Sequence, residues 1–210
     1  MGVPQQRRRA IRKAILAAAI REFAKNGLAG TTTQVLAESA GLSKAQLHYY
    51  ISSKEELYEE ALLHIIGKWK DIFFISADST DPGQVIRSYI ARKVRHSLEH
   101  PEMTRLFARE ISRGAPILRN HWGALKEDVE RASALINSWV ARGLIHPVDP
   151  VLFLMNIWAV TQHYAEYDAQ ARFLLGVPDG EPLDPDLFAE EATRMFLLRC
   201  GLKPDDGAAT

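Results

Sequence analysis

At 210 residues, 47% hydrophobic and 9% aromatic, the chain can bury a sizeable core and is too apolar to be disordered. Its 26 basic and 26 acidic side chains cancel, and its single cysteine, Cys200, excludes an internal disulfide framework. It has no apolar run of membrane-spanning length and no signal-type stretch, so no membrane partner and a cytoplasmic location are expected.

The charge is not evenly spread. Residues 1–54 hold nine Lys/Arg against Glu22 and Glu38, which makes this segment +7 and the remainder −7. Arg7-Arg8-Arg9, then Arg12 and Lys13, open the first helix, where cations oppose the helix dipole. Local stability does not explain them, whereas a phosphate-binding module tied to an acidic partner domain does.

The segment 31–54, TTTQVLAESAGLSKAQLHYYISSK, follows. Thr31 with Gln34, Ser43 with Gln46 and Ser53 with Glu56 fit the capping-box spacing that satisfies orphan N–H groups at helix starts. Gly41 between the first two boxes can take the positive φ that ends one helix and turns into the next. This predicts a helix-turn-helix whose second helix, Ser43–Ile51, is the recognition helix. Lys44, the hydroxyls of Thr32, Thr33, Ser43, Tyr49 and Tyr50, and Lys54 suit phosphates. Ala45, Gln46 and His48 suit base edges, with Gln46 matched to adenine N6/N7.

These residues carry a family resemblance. Ile15-Leu16, Ala19, Phe23, Gly27, Gly30-Thr31-Thr32, Ala37, Ala40 to Lys44, Leu47 to Tyr50 and Ser53 to Leu57 resemble the DNA-binding domain of TetR-type bacterial regulators, without a gap. Ile51 stands where that family usually has Phe, which touches packing rather than function. The resemblance implies an all-α fold: a three-helix DNA-binding domain (8–68), joined by a long fourth helix to an effector-binding and dimerisation domain (69–202). It further implies a double-stranded, near-palindromic DNA operator, a homodimer and a small-molecule effector, with repression the family's commoner mode. Residues 203–210 read as a frayed tail.

Beyond residue 54 the pattern is helical almost throughout, for about nine helices in all. The fourth should run from about Lys54 to Phe74. Asp81-Pro82, Asp149-Pro150 and Asp184-Pro185 repeat one device, an aspartate cap before proline at the first helical position. The helix from Pro150, VLFLMNIWAVTQHYAEY, is apolar around most of its circumference, so a second subunit as well as its own domain should cover it. The last helix, Leu187–Leu202, is expected to pair with it across the dimer, with Phe196 among the contacts.

Several polar and aromatic side chains lie in that acidic half: Lys93, Trp158, Thr161, Gln162 and Tyr164, with Trp69 near its start. Gln162 serves either a neighbouring helix or a ligand, Lys93 either solvent or a ligand, and Trp69 either the core or a stacking surface. Together they suit a small planar polar heterocycle. The stretches SYIARK, HPEMTRLFAREISRGAPIL and IWAVTQHYAE resemble the effector domain of the pyrimidine-utilisation subfamily, which implies a uracil- or thymine-like effector. A lipophilic effector is the alternative. An enzyme lacks any nucleophile, phosphate loop or metal set, and a protein adaptor leaves the +7 segment unexplained. His96 and His100 have a metal-ligand spacing but no third ligand nearby, so neither metal nor cofactor is expected.

Overall fold

The computed structural model describes residues 5–73 and 81–204. Among them the chain is all-α: α1 (Gln5–Gly30), α2 (Thr33–Ser39), α3 (Lys44–Tyr50), α4 (Lys54–Ile72), α5 (Pro82–Glu99), α6 (Pro101–Ser112), α7 (Trp122–Ala141), α8 (Pro150–Glu166), α9 (Asp168–Leu175) and α10 (Pro185–Arg199). A short 3-10 turn, Leu118–His121, precedes α7. The helix beyond the expected nine is α9, capped by Gly176 in the left-handed conformation. The expected helix end at Phe74 and all but the start of the tail lie outside the described residues.

The chain forms two compact units. One comprises residues up to Lys70 together with Glu102–Asn120; the other comprises Asp71–Pro101 and the chain from His121 onward. Residues 102–120, which the sequence pattern places in the second domain, thus pack within the first unit. Its core gathers Ile15, Phe23, Leu36, Leu47, Tyr58, Leu62 and Ile65 with Leu106 and Leu118. Each such side chain contributes about 1.5–3 kcal/mol by leaving water. Within the second unit α10 lies against α5 and α8, while α7 and α9 also pack on α8. Its core includes Ile86, Ile90, Trp139, Leu154, Ile157, Phe188 and Leu197.

The helix starts follow their sequence signals with one shift. Asp81, Asp149 and Asp184 each accept from backbone N–H groups at the start of α5, α8 and α10, with proline at the first turn. The cap of α2 is Thr32, whose Oγ1 accepts from Val35 N at 3.2 Å, rather than Thr31. Thr31 is buried instead, and its hydroxyl donates to the Gly27 carbonyl at 2.7 Å. That carbonyl is available because α1 breaks at Gly27, where φ is +70°.

Phe196 also departs from expectation. It is buried, edge-on to Phe153 at 5.5 Å, and so belongs to the core of its own chain. The apolar side chains that α8 and α10 leave exposed are Val151, Leu152, Met155, Leu187, Met195 and Leu198.

Candidate nucleic-acid interface and effector region

The turn between α2 and α3 closes as its sequence requires. Gly41 sits at φ +69°, Leu42 N donates to the Ala37 carbonyl at 2.9 Å, and Gly41 N donates to the Glu38 carbonyl at 3.0 Å. The left-handed backbone at Gly41 would strain any other residue. Ser43 then caps α3 in both directions. Gln46 N donates to Ser43 Oγ at 3.2 Å, and Ser43 N donates to Gln46 Oε1 at 2.8 Å. Leu47 is the fully buried side chain that roots α3 in the core, and Tyr50 packs against its edge. Ser43, Lys44, Ala45, Gln46, His48 and Tyr49 stand exposed, and Tyr50 is half-buried, edge-on to Tyr49 at 5.1 Å. Thr32 is exposed and Thr33 half-buried at the start of α2.

Lys54 has a different setting from Lys44. Its ammonium donates to the carbonyls of Leu28 at 2.8 Å and Thr31 at 3.0 Å, tying the start of α4 to the end of α1. One of its three N–H groups remains uncommitted by those bonds.

Sequence reasoning missed Glu110. It is fully buried on α6 and accepts from Tyr58 OH at 3.1 Å, Ile117 N at 2.7 Å and Leu118 N at 3.2 Å. Burial, then the adjoining carboxylate, holds the Tyr58 phenol well above its ordinary value. Beside it, the Arg109 side chain covers the bend at Gly27, with Nη1 3.1 Å from where a Cβ would stand. The missed signal was positional: Glu110 falls three, four and seven residues after Phe107, Leu106 and Met103, on the apolar face of α6.

The residues expected to meet an effector divide between the units. Trp69 belongs to the first, with its ring edge-on to Phe107 at 4.4 Å. The other five lie on α5 and α8 of the second. Trp158 Nε1 donates to Tyr89 OH at 2.7 Å, and Phe73 adds a ring 5.8 Å from Tyr89 and 6.4 Å from Trp158. Lys93, one turn beyond Tyr89, is 3% exposed. Burial pushes its ammonium down to about 7, opposed by the Glu166 carboxylate. Burial in turn raises the Glu166 carboxyl, opposed by His163 and Lys93. On α8, Gln162 falls four residues from both Trp158 and Glu166, half-buried, and its carboxamide has no partner among the described residues. The buried Thr161 hydroxyl is spent on the Ile157 carbonyl at 2.7 Å, and Tyr164 stacks on Phe188 at 4.0 Å. His96 and His100 meet edge-on at 5.0 Å, and no cluster of three or more metal-type side chains occurs among the described residues. No described helix is long and apolar enough to cross a membrane.

Comparison with known proteins matches residues 15–61 to the family described as bacterial regulatory proteins, tetR family, and residues 62–203 to the C-terminal region of YcdC-like proteins. The HTH-type transcriptional regulator RutR of Escherichia coli is 39% identical over 166 residues, covering 79% of this chain and 78% of RutR. A TetR-family regulator from Marinobacter aquaeolei superposes with a TM-score of 0.68 at 26% identity, covering 93% of this chain and 97% of its own. AibR, solved with isovaleryl coenzyme A and operator DNA, superposes with a TM-score of 0.68 at 18% identity, covering 88% of this chain and 97% of its own. The matched families and relatives are transcriptional regulators, not enzymes.

Proposed function

The chain belongs to the TetR family of bacterial transcriptional regulators, and from that premise we propose that it binds a near-palindromic operator as a homodimer in the cytoplasm and releases it when a small polar heterocycle, uracil or thymine above all, occupies the effector region. The observation that carries the DNA-binding role is α3, whose first turn offers Ser43, Lys44, Ala45 and Gln46 to solvent while Leu47 anchors it. Lys44 and the hydroxyls of Thr32, Thr33, Ser43, Tyr49 and Tyr50 hold phosphates, and Ala45, Gln46 and His48 face base edges. Lys54 chiefly fixes α4 against the end of α1, with one donor left for a phosphate.

Gln162 supports the polar effector. A half-buried carboxamide without a protein partner presents a donor and an acceptor side by side, which is the complement of an imide edge. Within the same unit Lys93 supplies a further donor, and the indole of Trp158 supplies a stacking face. The exposed apolar row on α8 and α10 supports the dimer, because two recognition helices read the two half-sites that one short helix cannot.

The test is to select duplexes from a random pool with the full-length protein and measure binding as salt is varied. Lys44→Ala should weaken binding to every sequence and lower the slope of log K against log salt by about 0.9 for each phosphate no longer neutralised. Failure to select any duplex, or an unchanged slope in the variant, overturns the role of α3.

A further inference from the structure

Arg7, Arg8 and Arg9 are exposed on the opening turns of α1, and none has a hydrogen-bond or ion-pair partner among the described residues. The first turn of α1 holds no acid, so three cations face the positive end of the helix dipole uncompensated. One turn further in, Arg12 is paired: its Nη2 donates to both carboxylate oxygens of Glu60 on α4, at 2.9 and 3.0 Å. Arg12 and Ile15 line a crevice with Tyr50, Ile51, Leu57 and Glu60, which puts this face of α1 beside the C-terminal end of α3. Residues three and four apart share a helix face, so Arg8 and Arg9 stand over Arg12, about 4.5–6 Å further along the axis. Arg7 falls off that face.

We propose that Arg8 and Arg9 form a second DNA contact, gripping backbone phosphates that flank the half-site read by α3. This rests on the DNA-binding role proposed above. A guanidinium fork matches phosphate oxygens in pairs, and two of them continue the positive surface past the point where Glu60 neutralises Arg12. The unfavourable helix start is then the cost of presenting an arginine pair on the helix face that runs past the C-terminal end of α3.

The test uses full-length protein and a selected duplex in two lengths, one trimmed close to the half-sites and one extended by about 10 bp, one helical turn, at each end. Wild type should bind the extended duplex more tightly. Arg8→Gln/Arg9→Gln should lose that preference, and its slope of log K against log salt should fall by about 1.8 per protomer. Its melting temperature should equal or exceed that of wild type, because the removed charges oppose the dipole. Arg7→Gln should keep most of the flank preference. A double variant with the wild-type slope and flank preference overturns the contact, as does an equal loss from Arg7→Gln alone. The two levels separate cleanly: if wild type selects no duplex, the DNA-binding role itself fails. If it does, and Lys44→Ala weakens binding while the double variant does not, only the arginine pair is excluded.

Discussion

Gln46 is asked to do two things at once. Its Oε1 closes the capping box on Ser43 N, so while the box is intact the NH2 group is the freer half of the carboxamide to meet a base. That favours donation to a base acceptor over the paired donor-acceptor match to adenine. Gln46→Glu should keep the box and the stability of α3 yet weaken operator binding, since it swaps the donor for a negative charge. Gln46→Ala should lose both functions, at about 1 kcal/mol for the box hydrogen bond and about 1–3 kcal/mol at the cognate base pair. Thermal melts and binding to operators varied one base pair at a time separate these effects; unchanged preference in both variants removes Gln46 from readout. Lys93 makes a different prediction. Its ammonium is depressed from 10.5 to about 7 in the folded chain, so between those values the unfolded state binds more protons and stability rises with pH. Below about 7 the full penalty of burying the charge applies. Lys93→Met should therefore stabilise the protein most below about pH 7 and flatten the rise on the alkaline side. Equilibrium denaturation across that window checks it, and parallel curves for the two proteins refute the buried titration.

At the scale of elements, the exposed rows on α8 and α10 separate two apolar roles that look alike in sequence. Leu198, 58% exposed, lies two residues from Phe196, which is 5% exposed. Leu198→Asp should give a folded monomer that binds operator weakly, whereas Phe196→Asp buries a charge against Phe153 and should unfold the second unit. Sedimentation together with far-UV circular dichroism distinguishes them; a Leu198→Asp protein that remains a tight dimer places the interface elsewhere. The contrast also shows what was legible. The helix-turn-helix and the three Asp-Pro starts could be read because caps and turns depend on side chains within four residues of each other. The slip from Thr31 to Thr32 arose because only Thr31 has a glutamine three residues on, whereas the cap at Thr32 is a lone hydroxyl facing Val35 N, and the bend at Gly27, with its free carbonyl, draws Thr31 inward. The placement of α6 in the first unit was hidden because it depends on Glu110 meeting Tyr58, 52 positions away in sequence. α9 exceeds the expected count because its exposed Phe173 and Leu174 give no clean amphipathic pattern.

For the whole molecule, an effector matters only through its difference in affinity for two states of the protein. A pyrimidine that binds the operator-competent and operator-incompetent arrangements equally releases nothing, however tightly it binds. If uracil prefers the incompetent arrangement, it must weaken operator binding, and operator must weaken uracil binding by the same factor, typically about 5–150-fold. Gln162 provides the means of testing this, because its carboxamide lies in the second unit while α3 lies in the first. Gln162→Leu should leave operator affinity intact without ligand, since it touches neither α3 nor its caps. It should weaken uracil binding about 5–150-fold, and shift release to correspondingly higher uracil, because an imide edge left unmatched in a partly buried site costs about 1–3 kcal/mol. The measurement is calorimetric titration of uracil and thymine, with and without operator, into both proteins. Equal affinities with and without operator would break the coupling even if uracil binds. Release by lipophilic compounds alone, unaffected or improved in Gln162→Leu, would make Gln162 a structural side chain and the effector apolar.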